Sequence, residues 1–421
     1  MAAPPHPFAF RDFRFLWAAR FLSTIGQNSM VVVIGWQVYD IARRSMSTKD
    51  AAFQLGMIGL VQFVPLALLT LVTGWTADRV DRRWIARVTI LLETICAGVL
   101  AWLAWTGNGQ LWPIFVVAFM LGVCRAFAGP AVGAIAPNLV PPESLPTAIA
   151  VSALAWQMGG IGGPALGGYL YAAAPWLPYA VSAGLFLIST ISLFFIRPLP
   201  ATELDRKANP WRQMVDGLHY VRRNRLVLGA ISLDLFAVLL GGATAMLPVY
   251  ARDILHTGAA GLGNLRAAPA IGASLTGLYF SIRPLRRDVG VKMLIAVIVF
   301  GAATVAFGLS TNVPFSLFCL ASLGAADMLS VYVRNALVQI WTPNEMRGRV
   351  GAVASLFVSG SNELGEAESG LFAALIGPVA AVVAGGIGAI CVTLLWARLF
   401  PELGRAKTFD PPVRAAKEEL A

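Results

Sequence analysis

The sequence predicts an all-α membrane protein: twelve transmembrane helices in two six-helix pseudo-repeats. Three observations carry that expectation. Apolar residues make up 57% of the 421 residues and charged residues 13%, against about a half and about a quarter in a soluble domain. The apolar residues gather into twelve runs close to or above the roughly 20 residues that a helix needs to cross a bilayer. The basic residues are also sorted by side. With the N-terminus in the cytoplasm, 24 of the 32 lysines and arginines fall on the cytoplasmic side, five on the opposite side and three within helices, as the positive-inside rule requires.

The runs are 15–39, 54–76, 84–106, 111–136, 145–173 and 176–196, then 226–254, 262–283, 291–310, 314–340, 348–374 and 377–399. Most connections are short. The exception is 197–225, "RPLPATELDRKANPWRQMVDGLHYVRRNR", which divides the chain into six helices and six. The expected organisation is therefore a half over 1–196, a cytoplasmic linker over 197–225, a second half over 226–402 and a cytoplasmic tail over 403–421. Charge patterning marks 210–223 as an interfacial amphipathic piece. "PNLVPPESL" at 137–145 echoes "VQIWTPNEM" at 338–346, and "WTADRVDRR" echoes "YFSIRPLRR" about 203 residues later. Two parallel six-helix repeats are a transporter architecture. The first 15 residues lack the layout of a cleaved signal peptide, so the first run is expected to stay as a membrane helix.

Several function classes drop out. Cys96, Cys124, Cys319 and Cys391 each lie in an apolar run and read as small buried residues. With His6, His219 and His256 scattered, no metal site is expected. No phosphate loop of the G-x-x-x-x-G-K-[ST] kind occurs, so ATP is not the energy source. No nucleophile–base set suggests covalent chemistry, so neither an enzyme nor a cofactor is expected. The net charge of +10 follows from topology and does not call for nucleic acid.

The segment between the second and third runs reads "GWTADRVDRR", residues 74–83. Gly74 permits close helix approach, and Asp78 can meet the positive end of a helix dipole. Gly74, Asp78, Arg79, Arg82 and Arg83 resemble the G-x-x-x-D-R-x-x-R-R signature of the major facilitator superfamily. The resemblance implies a latch between halves that opens and closes. In the second half Gly277, Arg286 and Arg287 echo it, with Ser281 in the place of the aspartate, so the latch is expected to be asymmetric. In the fourth run, Arg125 and Gly129 resemble the superfamily's R-x-x-x-G element, which implies proton handling. A charge near mid-membrane costs at least ~2.5 kcal/mol and is functional by default.

The fifth run holds "GGIGGPALGG", 159–168. Gly159, Gly163 and Gly167 are four apart, which clears one helix face for backbone-to-backbone packing. Pro164 is expected to kink the helix, which neighbouring helices tolerate. With Gly168 these residues resemble the helix 5 signature that the superfamily associates with antiporters. The expected role is a seal against the eighth helix on the outer side.

A proton-coupled carrier needs a carboxyl group that changes charge. Asp234 in the seventh run and Glu366 in the eleventh are the favoured proton carriers, with Glu93 a distant third. Ser355, Ser359, Asn362, Glu366 and Ser369 are spaced 4, 3, 4 and 3, one polar stripe on one helix face. Asp327 and Arg334 are seven apart with Ser330 between, so they share a face. Asp327 also lies 202 residues after Arg125, which raises a possible pairing across the pseudo-repeat. Arg20 and Asp234 are expected as cavity neighbours. Arg20, Gln27, Asn28, Trp36, Trp156 and Tyr332 are the candidate substrate-cavity residues.

Over roughly 10–400 the chain resembles the major facilitator superfamily. The likeness is nearest to the branch that holds the bacterial enterobactin exporter, on "FRFLWAARFLSTIG", "GWTADRVDRR", "TPNEMRGRVGAVASLF" and "SNELGEAESG". That resemblance implies a multi-pass protein of the bacterial inner membrane, with both termini cytoplasmic and a monomer as the default. It implies export of a small molecule by alternating access, in exchange for protons. Siderophore export is a narrower reading. A lysophospholipid flippase and a non-transporting membrane sensor are the alternatives.

Overall fold

The computed structural model describes residues 5–133, 135–198, 210–343 and 345–409. Among the described residues the regular structure is helical throughout. The first six spans are α1 (Arg11–Ala42), α2 (Thr48–Arg79), α3 (Arg82–Trp105), α4 (Trp112–Gly133), α5 (Leu145–Ala173) and α6 (Leu177–Phe194). The linker carries α7 (Pro210–Arg223). The seventh span begins with α8 (Arg225–Leu240) and continues past a break through a short α9 (Leu247–Val249). Then come α10 (Gly258–Ile282), α11 (Val289–Gly308), α12 (Val313–Trp341), α13 (Arg347–Ile376) and α14 (Pro378–Leu399), with a short α15 (Pro401–Arg405).

Local chemistry sets these ends. Ser47 caps α2 by accepting from the Asp50 N–H, Asp81 caps α3 through Arg83, and Asn224 and Asn312 cap α8 and α12. Each oxygen satisfies a backbone donor that the first helical turn leaves open. Pro65, Pro164 and Pro269 lie inside helices that run on through them.

The chain forms two compact units. One comprises Met1–Lys207, Thr244–Ala270 and Gly370–Pro378, and the other Ala208–Ala243, Ile271–Ser369 and Val379–Ala421. In the first unit α1 packs on α5 and α6, α3 on α4 and α6, and α2 on α4. Its core includes Tyr179 and Phe186 of α6 with Ile34 and Val38 of α1 and Leu100 of α3. In the second, Leu233 of α8, Met293 of α11 and Leu337 of α12 share a core that Leu403 of α15 closes. Lipid tails are as apolar as these side chains, so close packing and not water exclusion drives the assembly.

Two features differ from the sequence reading. The apolar face of α7 is turned onto protein: Val221 packs with Ile231, Val338 and Val350. The Tyr220 hydroxyl donates to the Trp341 carbonyl at 2.9 Å, and Arg349 pairs with Asp216 at 3.2 Å. The seventh span, expected as one run over 226–254, is broken after Leu240. A 3-10 turn at Ala243–Met246, α9 and a π-helical turn at Tyr250–Ile254 follow. Apolar composition alone does not report such a break, whereas the pair Gly241–Gly242 does.

Candidate functional site: buried charges in each half

In the second unit α8 carries Asp234 and α12 carries Arg334, each 6% exposed, and the two form a buried ion pair. Asp327 and Ser330 lie earlier on α12. Asp234, Asp327 and Ser330 line a cavity about one water in size, which Ala237, Val297 and Phe300 close with apolar surface. Among the described residues the Asp327 carboxyl has no hydrogen-bond or ion-pair partner, and neither has the Ser330 hydroxyl. Asp234 is thus neutralised by Arg334, while Asp327 stands beside the pair without compensation. Buried charges of this kind are costly unless paired. Gly241 lies seven residues past Asp234, and a Cβ there would meet the Phe300 ring at 2.5 Å. Gly242 is pressed against Ser369 and the Gly365 carbonyl of α13. The helix break and the acid cavity therefore share Phe300 as a wall.

In the first unit Glu93 of α3 is 1% exposed. The Gln27 side-chain amide donates to both of its carboxylate oxygens, at 2.9 and 3.1 Å. Arg125 donates to the Gln62 side chain at 3.2 Å and stands close enough to Glu93 to act on it electrostatically. Buried Cys96 and Cys124 are further neighbours of that carboxylate. Glu93, placed third among the candidate proton carriers from sequence, is among the most deeply buried acids described. A carboxyl three helical turns into α3 looks peripheral until Gln27 is brought to it. Within its own unit each charge has its own setting: Asp234 pairs with Arg334, and Arg125 donates to Gln62. Gly129 has open space where a Cβ would go, so the glycine of R-x-x-x-G makes no close approach here.

The glycines of α5 face two different helices. A Cβ on Gly159 would meet Thr24 at 2.5 Å. On Gly163 it would meet Asn28 at 2.7 Å and the Ile25 carbonyl at 2.8 Å, and on Gly167 the Ser29 carbonyl at 2.8 Å. All three partners are on α1, in the same half. Gly168 is the one of the set that meets α10, with the Ala259 carbonyl at 2.5 Å and Gly263 at 2.9 Å, and the Pro164 carbonyl faces Gly263. The i, i+4, i+8 row points one way round the helix, and α1 occupies that side.

Of the latch residues, the side chains of Gly74, Asp78 and Arg79 lie outside the described residues, and Arg82 is partly buried. Arg83 is buried and engaged within its own half. It binds Asp81 and donates to the Ile196 carbonyl at 3.0 Å. Arg87, which the motif does not include, donates to the Leu193 carbonyl at 2.9 Å and stands over the Trp84 and Phe194 rings. Together the two arginines add charged donors to carbonyls at the C-terminal end of α6, where Leu193 also accepts a long bond of 3.4 Å from the Ile196 N–H. The Arg83 guanidinium holds the Asp81 carboxyl below its usual range, mainly through its hydrogen bond.

A second set was not singled out from sequence. At the end of α1, the Tyr39 hydroxyl donates to Asp253, and Arg43 pairs with the same carboxylate at 3.1 Å. Arg252 and Arg44 pair with Asp40 at 2.7 and 3.1 Å, and Lys49 reaches the Leu375 carbonyl at 3.2 Å. The positive-inside count treated these residues as bare charges on the sparse side. Arg44 and Asp40 are four residues apart, but Arg43–Asp253 and Arg252–Asp40 are 210 and 212 apart, a separation that short-range patterning does not read.

The other cavity residues are dispersed. Asn28 lies in the α1–α5 contact and donates to the Thr24 carbonyl. Trp36 is buried in the first unit, and Trp156 is 57% exposed. Tyr332 stacks on Phe280 at 5.2 Å, with Phe409 edge-on; its ring belongs to an aromatic cluster inside the second unit. Glu366 is partly buried on α13, between exposed Asn362 and buried Ser369.

A family model described as transmembrane secretion effector matches residues 2–414. The enterobactin exporter EntS of Citrobacter koseri is 28% identical over 413 residues, 95% of this chain and 94% of that protein. The enterobactin exporter EntS of Escherichia coli O1:K1 / APEC is 27% identical over 416 residues, covering 96% and 95%. Among solved structures, a bacterial homolog of the human lysosomal transporter Spinster, inward-facing and occupied, superposes with a TM-score of 0.71 at 16% identity, covering 93% of this chain and 97% of that one. A D-xylose–proton symporter gives 0.72 at 14% identity, covering 93% and 98%. At such identities these structures speak to the fold.

Proposed function

The chain belongs to the transmembrane secretion effector family of major facilitator transporters, a multi-pass membrane carrier and not an enzyme, and on that premise we propose that it exports a small organic molecule from the bacterial cytoplasm in exchange for protons. The observation that carries the reading is the unpartnered Asp327 beside the buried Asp234–Arg334 pair. A proton arriving on Asp234 discharges the pair and leaves Arg334 a buried cation without compensation. That state is relieved when Arg334 turns to Asp327 or when the helices rearrange, which couples protonation to conformation. Loss of the proton restores the pair. The break at Gly241–Gly242, walled by the same Phe300, gives α8 a place to bend. Substrate exchange follows by alternating access, with Glu93 and Arg125 as charged groups of the first half. Both acids stay in the assignment with Glu366.

The relatives named as enterobactin exporters favour a narrower reading, in which a catecholate siderophore is the substrate. Everted membrane vesicles test both. An acid-inside gradient is imposed, and a catecholate siderophore, a lipophilic cation and a lysophospholipid are added in turn. Collapse of the gradient that requires the protein and is lost in Asp327→Asn is the expected result. Collapse of equal size in Asp327→Asn and Asp234→Asn overturns the coupling assignment.

A further inference from the structure

Resting on the carrier reading above, we infer that Arg20 of α1 is the anchor for an anionic group, a carboxylate, sulfonate or phosphate, on the exported organic molecule. Arg20 lies nine residues into α1, roughly 13 Å along the helix axis, and inside the apolar run. It is partly buried, and among the described residues its guanidinium has no hydrogen-bond or ion-pair partner. An arginine in a spanning helix ordinarily meets an acid or backbone carbonyls of its own protein.

Several acids of the first unit are already engaged. Glu93 holds the Gln27 amide, Asp12 faces Arg197 at 4.0 Å, and Asp40 and Asp253 are bound to Arg252, Arg44 and Arg43. The nearby hydroxyls are engaged too: Ser23 and Thr24 donate to the backbone carbonyl of Arg20, at 3.1 and 2.7 Å.

The setting suits a ligand. Arg20, Gln27 and Val31 are spaced seven and four residues apart, one face of α1, and Val31 on that face is 36% exposed. Thr24, four residues past Arg20 on that side, meets Gly159 of α5, while Asn28 meets Gly163 and Gly26 meets Phe186 of α6. Beside Arg20 the Trp17 and Phe21 rings stack at 5.2 Å, and Trp17 is pinned by its indole N–H to the Val151 carbonyl at 2.9 Å. An arginine with open hydrogen-bond donors can hold a charged head, and an aromatic pair on residues within one helical turn of it offers a flat apolar surface. Arg125 adds to the positive potential of this half, where Glu93 is the opposing charge.

Equilibrium dialysis of the purified full chain in neutral detergent tests the inference with three ring-matched probes: 2-naphthoate, 2-naphthamide and 2-naphthylmethylammonium. The expected result is saturable naphthoate binding at least tenfold tighter than either other probe. Arg20→Gln is expected to weaken it at least tenfold, and Arg20→Lys to recover part. Equal affinity for the three probes overturns the inference, as does naphthoate binding unchanged in Arg20→Gln. Binding of phosphatidylglycerol in an Arg20-dependent way, with no naphthoate bound, also overturns it and assigns the arginine to lipid. If Arg20→Gln does not fold, the three-probe comparison on the native protein decides. Dialysis requires no transport. Naphthoate binding without proton flux in vesicles therefore sinks the carrier reading alone, and flux without charge-selective binding sinks this one alone.

Discussion

Replacing Gly163 by alanine tests how the two helices at the centre of the first half are held. A methyl at that position would stand 2.7 Å from Asn28 Cβ, 2.8 Å from the Ile25 carbonyl and 3.2 Å from the Ser29 nitrogen. Relaxed carbon contacts are about 3.5–4.0 Å, so α1 and α5 must part by roughly 1 Å, against backbone that has no rotamer to yield. Overpacking of this kind costs about 1–3 kcal/mol. Helix propensity returns up to about 1 kcal/mol when glycine becomes alanine. The expected net effect is a destabilisation of about 0–2 kcal/mol, or about 1–3 kcal/mol relative to an alanine that meets no overpacking. Gly162→Ala is the control, because nothing lies within 4 Å of a Cβ there; it should match or exceed the native protein. Thermal melting in lipid nanodiscs, followed by tryptophan fluorescence, reads both. A Gly163→Ala protein that melts at or above Gly162→Ala would refute the packing argument.

Three further outcomes are expected. Arg334→Gln leaves Asp234 buried without its partner and should cost about 3–5 kcal/mol, while Asp234→Asn/Arg334→Gln together should recover most of it; additive losses on melting would contradict the pairing. Arg87→Ala removes a charged hydrogen bond to the end of α6 and should cost about 1.5–3 kcal/mol, whereas a native-like melt would show that the Leu193 carbonyl finds water instead. The Asp81 carboxyl is held low by Arg83, so its contribution is complete above the unfolded value of about 4 and is lost as pH falls through the lower folded value. The gap in melting temperature between native protein and Asp81→Asn should therefore be constant from pH 7 to pH 5 and close below pH 4; a gap that widens on acidification would reverse the assignment.

The spans were legible because apolar runs and a one-sided charge distribution are properties of the lipid environment and need no tertiary knowledge. Asp327, Ser330 and Arg334 were legible as one face because helical spacing alone places them there. What brings Asp234 to Arg334 is the packing of α8 on α12, 100 residues away in sequence, and periodicity says nothing of that. The glycine row of α5 announced close packing, yet its partner depends on which way the helix is turned. Gln27 and Glu93 were read separately, each as a lone polar residue; only the meeting of α1 and α3 makes them a pair. Arg83 and Arg87 show a related limit. A motif singles out the first and passes over the second, while carbonyls at the end of α6 accept from both.

Purified protein in sealed liposomes, with a pH dye inside and no imposed pH gradient, offers the most direct measurement. An outward-directed gradient of the compound that responds in vesicles is applied, and internal pH is followed. Proton-coupled export through the Asp234–Arg334–Asp327 site predicts internal acidification that depends on the compound and vanishes in Asp327→Asn. Movement of the compound with no change in internal pH, or acidification undiminished in Asp327→Asn, would contradict it.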